Sequence, residues 1–146
     1  MRVEDLMTTR VLTVSAGESA EHALALMRER RIHHLVVVQN RDVVGVVSSR
    51  DLESAGSFRQ VQVVEDVMTS PAVTAAPDMT LRQAANLLRG RSIGCLPVVD
   101  RDSDLLGILT ITDLLEALGR GESRPLSQTK RWVLKSRGPR RAVRSG

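Results

Sequence analysis

Two short stretches hold the residues best suited to grip a ligand. Gly45-Val46-Val47-Ser48-Ser49-Arg50-Asp51-Leu52 and Gly107-Ile108-Leu109-Thr110-Ile111-Thr112-Asp113-Leu114 share one pattern: Gly, two apolar residues, Ser or Thr, two variable positions, Asp, and an apolar residue. An apolar run that ends in Ser or Thr, with Asp three residues on, reads as a strand running into a helix. The first N–H groups of a helix lack partners within it and carry a partial positive charge, which suits an anion such as phosphate. Ser48 or Thr110 adds a hydroxyl at that point, and Arg50 and Thr112 lie in the same turn. Asp51 and Asp113 are acceptor-only carboxylates that can take a pair of hydroxyls. The same residues also serve with no ligand at all. Ser and Thr are ordinary helix caps, and Asp in the first turn complements the helix dipole.

Other chemistries find little support. The chain has one cysteine, Cys95, so no intrachain disulfide forms, which fits a reducing cytoplasm. Cys95 reads as a small buried hydrophobe. The three histidines are His22, His33 and His34, and no His-x-x-x-His or Cys-x-x-Cys spacing occurs. Adjacent residues on a strand point to opposite faces, so His33 and His34 are not expected to share a metal. There is no Gly-rich phosphate loop of either common type. The expectation is a protein with no catalytic residues, no metal and no required cofactor.

The elements that must position these residues come in two copies. A slide of 61 residues lays Glu4-Asp5-Leu6-Met7-Thr8 on Glu65-Asp66-Val67-Met68-Thr69, Ile32 on Ile93, and Leu35 on Leu96. Beyond the Asp100–Asp104 turn the offset becomes 62, and Gly45 meets Gly107 while Asp51 meets Asp113. Each copy predicts a short strand (Val11–Val14; Ala72–Thr74), then a helix with apolar residues at helical spacing. Ser19 is the N-cap of the first helix, and Thr80 with Gln83 forms a capping box for the second. The helices are expected to end near Arg28–Arg31 and Gly90. Two Val- or Leu-rich strands and a second helix, opening at Ser49 or Thr112, complete each copy. The fold class is α/β (α+β), two β-α-β-β-α units. One unit alone leaves a large apolar face, so the two pack sheet to sheet with pseudo-two-fold symmetry. The expected organisation is a first unit over 1–55, a linker over 56–63, a second unit over 64–119 and a tail over 120–146.

The tail holds nine Arg or Lys against one acid, Glu122, a charge of +8. The other 119 residues hold 12 bases and 16 acids, a charge of −4. The alternatives for this tail are a solubilising extension or contact with nucleic acid or another anionic partner. With one Phe, one Trp and no Tyr, the chain has almost no stacking platforms for single-stranded nucleic acid. The amino terminus has acids and no apolar signal core, and no run of about 18 apolar residues predicts membrane insertion.

The paired motif, the Asp-apolar-Met-Thr openings and the Leu-[Val/Pro]-Val-Val strands, in the same order in both copies, resemble the cystathionine-β-synthase (CBS) domain family. The resemblance covers residues 3–118. It implies two clefts that each take an adenosine ligand, an adenine nucleotide (AMP, ADP, ATP) or S-adenosylmethionine, in a regulatory module that senses energy or metabolite state. It also implies a homodimer. By resemblance, Asp51 and Asp113 bind ribose. Ser48, Arg50, Thr110 and Thr112 lie near phosphate. His33 and His34 join them, because His33-His34-Leu35-Val36 is similar to a phosphate-contacting segment of other nucleotide-binding members. The adenine pocket is expected from Thr13, Thr74, Ile32, Ile93, Gly94, Cys95, Leu96 and Pro97.

Overall fold

A computed structural model describes residues 1–55 and 63–120. The linker residues 56–62 and the tail from 121 onward, including the basic segment, lie outside the described residues. The chain runs α1 (Val3–Leu6), β1 (Thr13–Ser15), α2 (Ala20–Arg30), β2 (His34–Gln39), β3 (Asp42–Ser48) and α3 (Ser49–Ala55). After a 3-10 turn at Val64–Asp66 come α4 (Leu81–Arg91), β4 (Cys95–Val99), β5 (Leu105–Thr110) and α5 (Ile111–Arg120). Neither α1 nor the 3-10 turn is marked by periodicity in the sequence.

The long helices start where their caps dictate. Ser19 Oγ accepts from His22 N–H at 3.1 Å. Thr80 and Gln83 bond reciprocally, 3.1 Å from Gln83 N–H to Thr80 Oγ1 and 3.0 Å from Thr80 N–H to Gln83 Oε1. Both helices stop on a left-handed residue, Arg31 (φ 56°) and Ser92 (φ 54°). The next N–H groups, of Ile32 and Ile93, fold back to Met27 and Leu88 carbonyls. Gly90 is therefore inside α4, not its stop, and the terminating position falls on Ser92.

In the first repeat β1 pairs parallel with β2, and β2 pairs antiparallel with β3. In the second, β4 pairs with β5. The expected strand at Ala72–Thr74 is reduced to a single bridge between Ala75 and Val98. The strands alternate as a pleat requires. Leu35, Val37 and Val47 face the helices of the first repeat, and Leu96, Val98 and Leu109 face those of the second. Val36, Val46, Cys95 and Ile108 face the other way and form the layer between the two sheets.

The openings of the two repeats change places. Val3, Leu6 and Met7 are buried in the second repeat's core, and Val64 in the first's. Thr8 bridges Ile108 and Thr69 bridges Val46, with N–H···O distances of 2.8–3.1 Å. The glycine of each motif permits this. A Cβ at Gly107 would lie 2.5 Å from Thr8 O, and one at Gly45 would lie 2.7 Å from Thr69 O. Fully burying a side chain such as Leu6 is worth about 1.5–3 kcal/mol, so the exchange ties each repeat to the other's core.

Candidate functional site

Each strand-to-helix junction is a reciprocal cap. Thr110 N–H donates to Asp113 Oδ2 at 2.9 Å, and Asp113 N–H donates to Thr110 Oγ1 at 3.1 Å. Ser48 and Asp51 repeat the arrangement at 3.1 and 3.0 Å. The first helical N–H of each helix is also taken: Ser49 N–H by His33 O, and Ile111 N–H by Gly94 O. The junctions thus satisfy themselves. Each hydroxyl accepts from the backbone yet keeps its own proton to give to an anion.

Two clefts open beside these junctions, and each draws on both repeats. The first, of about 540 Å³, is lined by Thr110, Ile111 and Thr112 from the second repeat and by Thr8, Arg10, Val11, Leu12, Arg31 and Ile32 from the first. Glu116 and Arg120 of α5 complete its rim. The second, of about 520 Å³, is lined by Ser48, Ser49, Arg50 and Asp51 from the first repeat and by Thr69, Ser92, Ile93 and Cys95 from the second. His33, His34, Gly94 and Ile111 line both. Both volumes lie within the range of small-molecule sites, about 300–1,000 Å³.

Several expected site residues are brought together. Ser48, Arg50, Asp51, Ile93, Gly94 and Cys95 meet in the second cleft, and Ile32, Thr110 and Thr112 in the first. Others are not. Asp113 is wholly buried beneath Thr110 and is absent from the lining of the first cleft. Leu96 faces the core of the second repeat, on the opposite side of β4 from Cys95. Pro97 is buried, and Thr13 and Thr74 line neither cleft. Leu12 takes the position expected of Thr13, because the chain reaches the cleft one residue earlier.

His33 and His34 do not diverge. His33 precedes β2, which begins at His34, so strand alternation does not apply to the pair and both reach the clefts. His33 Nδ1 lies 3.4 Å from Ser49 Oγ. Gly94 makes room for the second ring, since a Cβ there would stand 2.9 Å from His34 Nε2. Burial holds His34 below the ordinary imidazole range, His33 beside it lowers it further, and Asp51 opposes both. Burial pushes the Cys95 thiol up to about 12, which leaves it without useful thiolate. His22 is exposed and lines neither cleft, with its ring on Glu18.

Arg10, Arg31, Glu116, Arg120, Thr8 and Thr69 escape the sequence reading as site residues. The threonines are legible in retrospect, since both close the repeated Met-Thr opening. The arginines are not, because Pro71 and Ser92 stand at the equivalents of Arg10 and Arg31. One acidic cluster also went unmarked: the carboxylates of Asp100, Asp102 and Asp104 lie within 4.8 Å of one another. Asp100 Oδ1 accepts from the Asp102 and Asp104 N–H groups at 2.8 and 2.9 Å, so the turn between β4 and β5 accounts for it. No helix among the described residues is long and apolar enough to cross a membrane.

Comparison with known proteins agrees with this architecture. A family model described as "CBS domain" matches residues 3–57 and 64–120. The CBS domain-containing protein YhcV of Bacillus subtilis is 34% identical over 115 residues, 77% of this chain and 81% of that protein. The crystal structure of CBSX2, a protein of Arabidopsis thaliana, in complex with AMP shares 32% identity with a TM-score of 0.73, covering 83% of this chain and 98% of that one. The CBS domain pair of protein MJ0100, crystallised with 5′-methylthioadenosine and S-adenosyl-L-methionine, shares 25% identity with a TM-score of 0.77 and the same coverages. The chain spans only 23–24% of the homoserine O-acetyltransferase and inosine-5′-monophosphate dehydrogenase relatives that it also matches. With two matched repeats, exchanged openings and a cleft beside each motif, the chain belongs to the CBS-domain family as a tandem pair.

Proposed function

We propose that the protein is a regulatory module that binds adenosine ligands in its clefts and performs no chemistry of its own. The observation that carries this reading is the composite build of the first cleft. Val11, Leu12, Ile32 and Ile108 supply an apolar wall for a purine, while Thr110, Thr112, Arg10, Arg31 and Arg120 supply donors for phosphate. In the second cleft Asp51 serves the ribose, and Ser48, Arg50 and the shared His33 and His34 serve any phosphate. Solved CBS pairs similar to this chain that hold AMP, 5′-methylthioadenosine and S-adenosylmethionine support the ligand class.

Because each cleft is made by both repeats, a ligand that bridges them favours one repeat–repeat arrangement over others, which is the requirement for sensing. The reading includes a homodimer. Ile111, Leu115 and Leu118 form an exposed apolar stripe along α5, 44–68% accessible, that a second copy would cover. It also includes a cytoplasmic setting, where these ligands are abundant, and an anionic partner for the tail.

A thermal-shift panel of ATP, ADP, AMP and S-adenosylmethionine tests the ligand claim. A binding ligand raises Tm by mass action, by about 2.7 kcal/mol of stability at a hundred times Kd. No shift with any of the four at about millimolar concentration overturns the reading.

A further inference from the structure

The two clefts are matched in size, about 540 and 520 Å³, but not in charge. Among the described residues, three arginines, Arg10, Arg31 and Arg120, line the first cleft against one acid, Glu116. Among the described residues, the second is lined by one arginine, Arg50, and one acid, Asp51. His33 and His34 border both and do not discriminate between them. The imbalance follows from differences between the two repeats. Under the repeat, Pro71 stands where Arg10 would recur, Ser92 where Arg31 would, and Thr112 where Arg50 would.

We propose that the clefts divide adenosine ligands by charge: the first takes the multiply anionic nucleotide, and the second takes an adenosine ligand with little or no phosphate. The inference rests on the adenosine reading above and adds to it an assignment of ligand class to each cleft. The physical reason is direct. Opposed guanidinium groups stabilise phosphate oxygens by charge-assisted bonds. A site with balanced charge, and with a half-exposed carboxylate on its wall, offers added negative charge no net attraction. Ribose and adenine are uncharged, so neither depends on this difference in charge.

The experiment uses the full chain, with ATP and 5′-methylthioadenosine as probes. Amide shifts in a ¹⁵N NMR titration report the cleft, with Arg10 and Thr112 for the first and Arg50 and Thr69 for the second. ATP is expected to move the first set at the lower concentration, and 5′-methylthioadenosine the second. The double substitution Arg10→Gln with Arg31→Gln alters two exposed side chains and should weaken ATP about tenfold while leaving 5′-methylthioadenosine within about twofold. Added salt should weaken ATP alone. If both probes bind yet share the clefts equally, or if the double variant weakens both alike, the division by charge is wrong while the adenosine reading stands. If neither probe moves either set, both fall together.

Discussion

Replacing Gly107 by Ala adds one methyl group at the point where the two repeats cross. That methyl carbon would stand 2.5 Å from Thr8 O and 2.9 Å from Met7 Sδ. The sulfur belongs to a flexible side chain and can retreat. The carbonyl cannot, because Thr8 and Ile108 exchange two backbone hydrogen bonds of 2.9 Å at that point. Overpacking of this kind costs about 1–3 kcal/mol. Weakening the two bonds adds about 1 kcal/mol, and the lower chain entropy of Ala returns about 0.5–1 kcal/mol. The net expectation is a loss of about 1–3.5 kcal/mol, or roughly 5–15 °C in Tm for a folded body of this size. Gly45→Ala should behave alike, since its Cβ would meet Thr69 O at 2.7 Å. Gly90 supplies the control. It lies exposed inside α4 with nothing within 4 Å of an added Cβ, so Gly90→Ala should stabilise by about 1 kcal/mol. Urea unfolding followed by circular dichroism measures all three. Should Gly107→Ala come within about 0.5 kcal/mol of wild type, or move in the same direction as Gly90→Ala, the crossing of the openings is not the constraint argued for it.

Two further outcomes follow from the junctions. Asp113→Ala removes a fully buried carboxylate that accepts from Thr110 N–H and should cost about 1–3 kcal/mol, whereas Asp51→Ala removes a half-exposed one whose place water can take and should cost less than about 1 kcal/mol; equal losses in denaturant titrations would show that burial of the carboxylate does not separate the two. His34 is held below its ordinary range in the folded protein, so between that lowered value and about 6.5 the unfolded chain binds more protons. Its contribution is therefore fully present above about 6.5 and is lost as pH falls through the folded value, and His34→Gln should flatten the fall in urea midpoint on acidification; an unchanged slope in the variant would remove His34 as the cause.

The repeat was legible in the sequence because it is a matter of residue identity and order: a 61-residue slide finds it without any coordinates. The helix starts at Ser19 and Thr80 and the Val-rich strands β2 and β3 were legible because caps and short apolar runs between polar turns act within a few residues. The junction motifs were found for the same reason, and the structure uses them as caps beside clefts. What the tertiary structure alone decided is which residues share a cleft. Arg10 and Arg31 meet Thr110 only because the openings cross and the two sheets pack together, and no local pattern encodes a neighbour about 80–100 residues away. The same packing took Asp113 and Leu96 out of the site, by turning one under its own cap and the other to the far face of its strand. Residue type and spacing thus determined the parts and their symmetry. The packing of one repeat against the other determined the charge of each cleft.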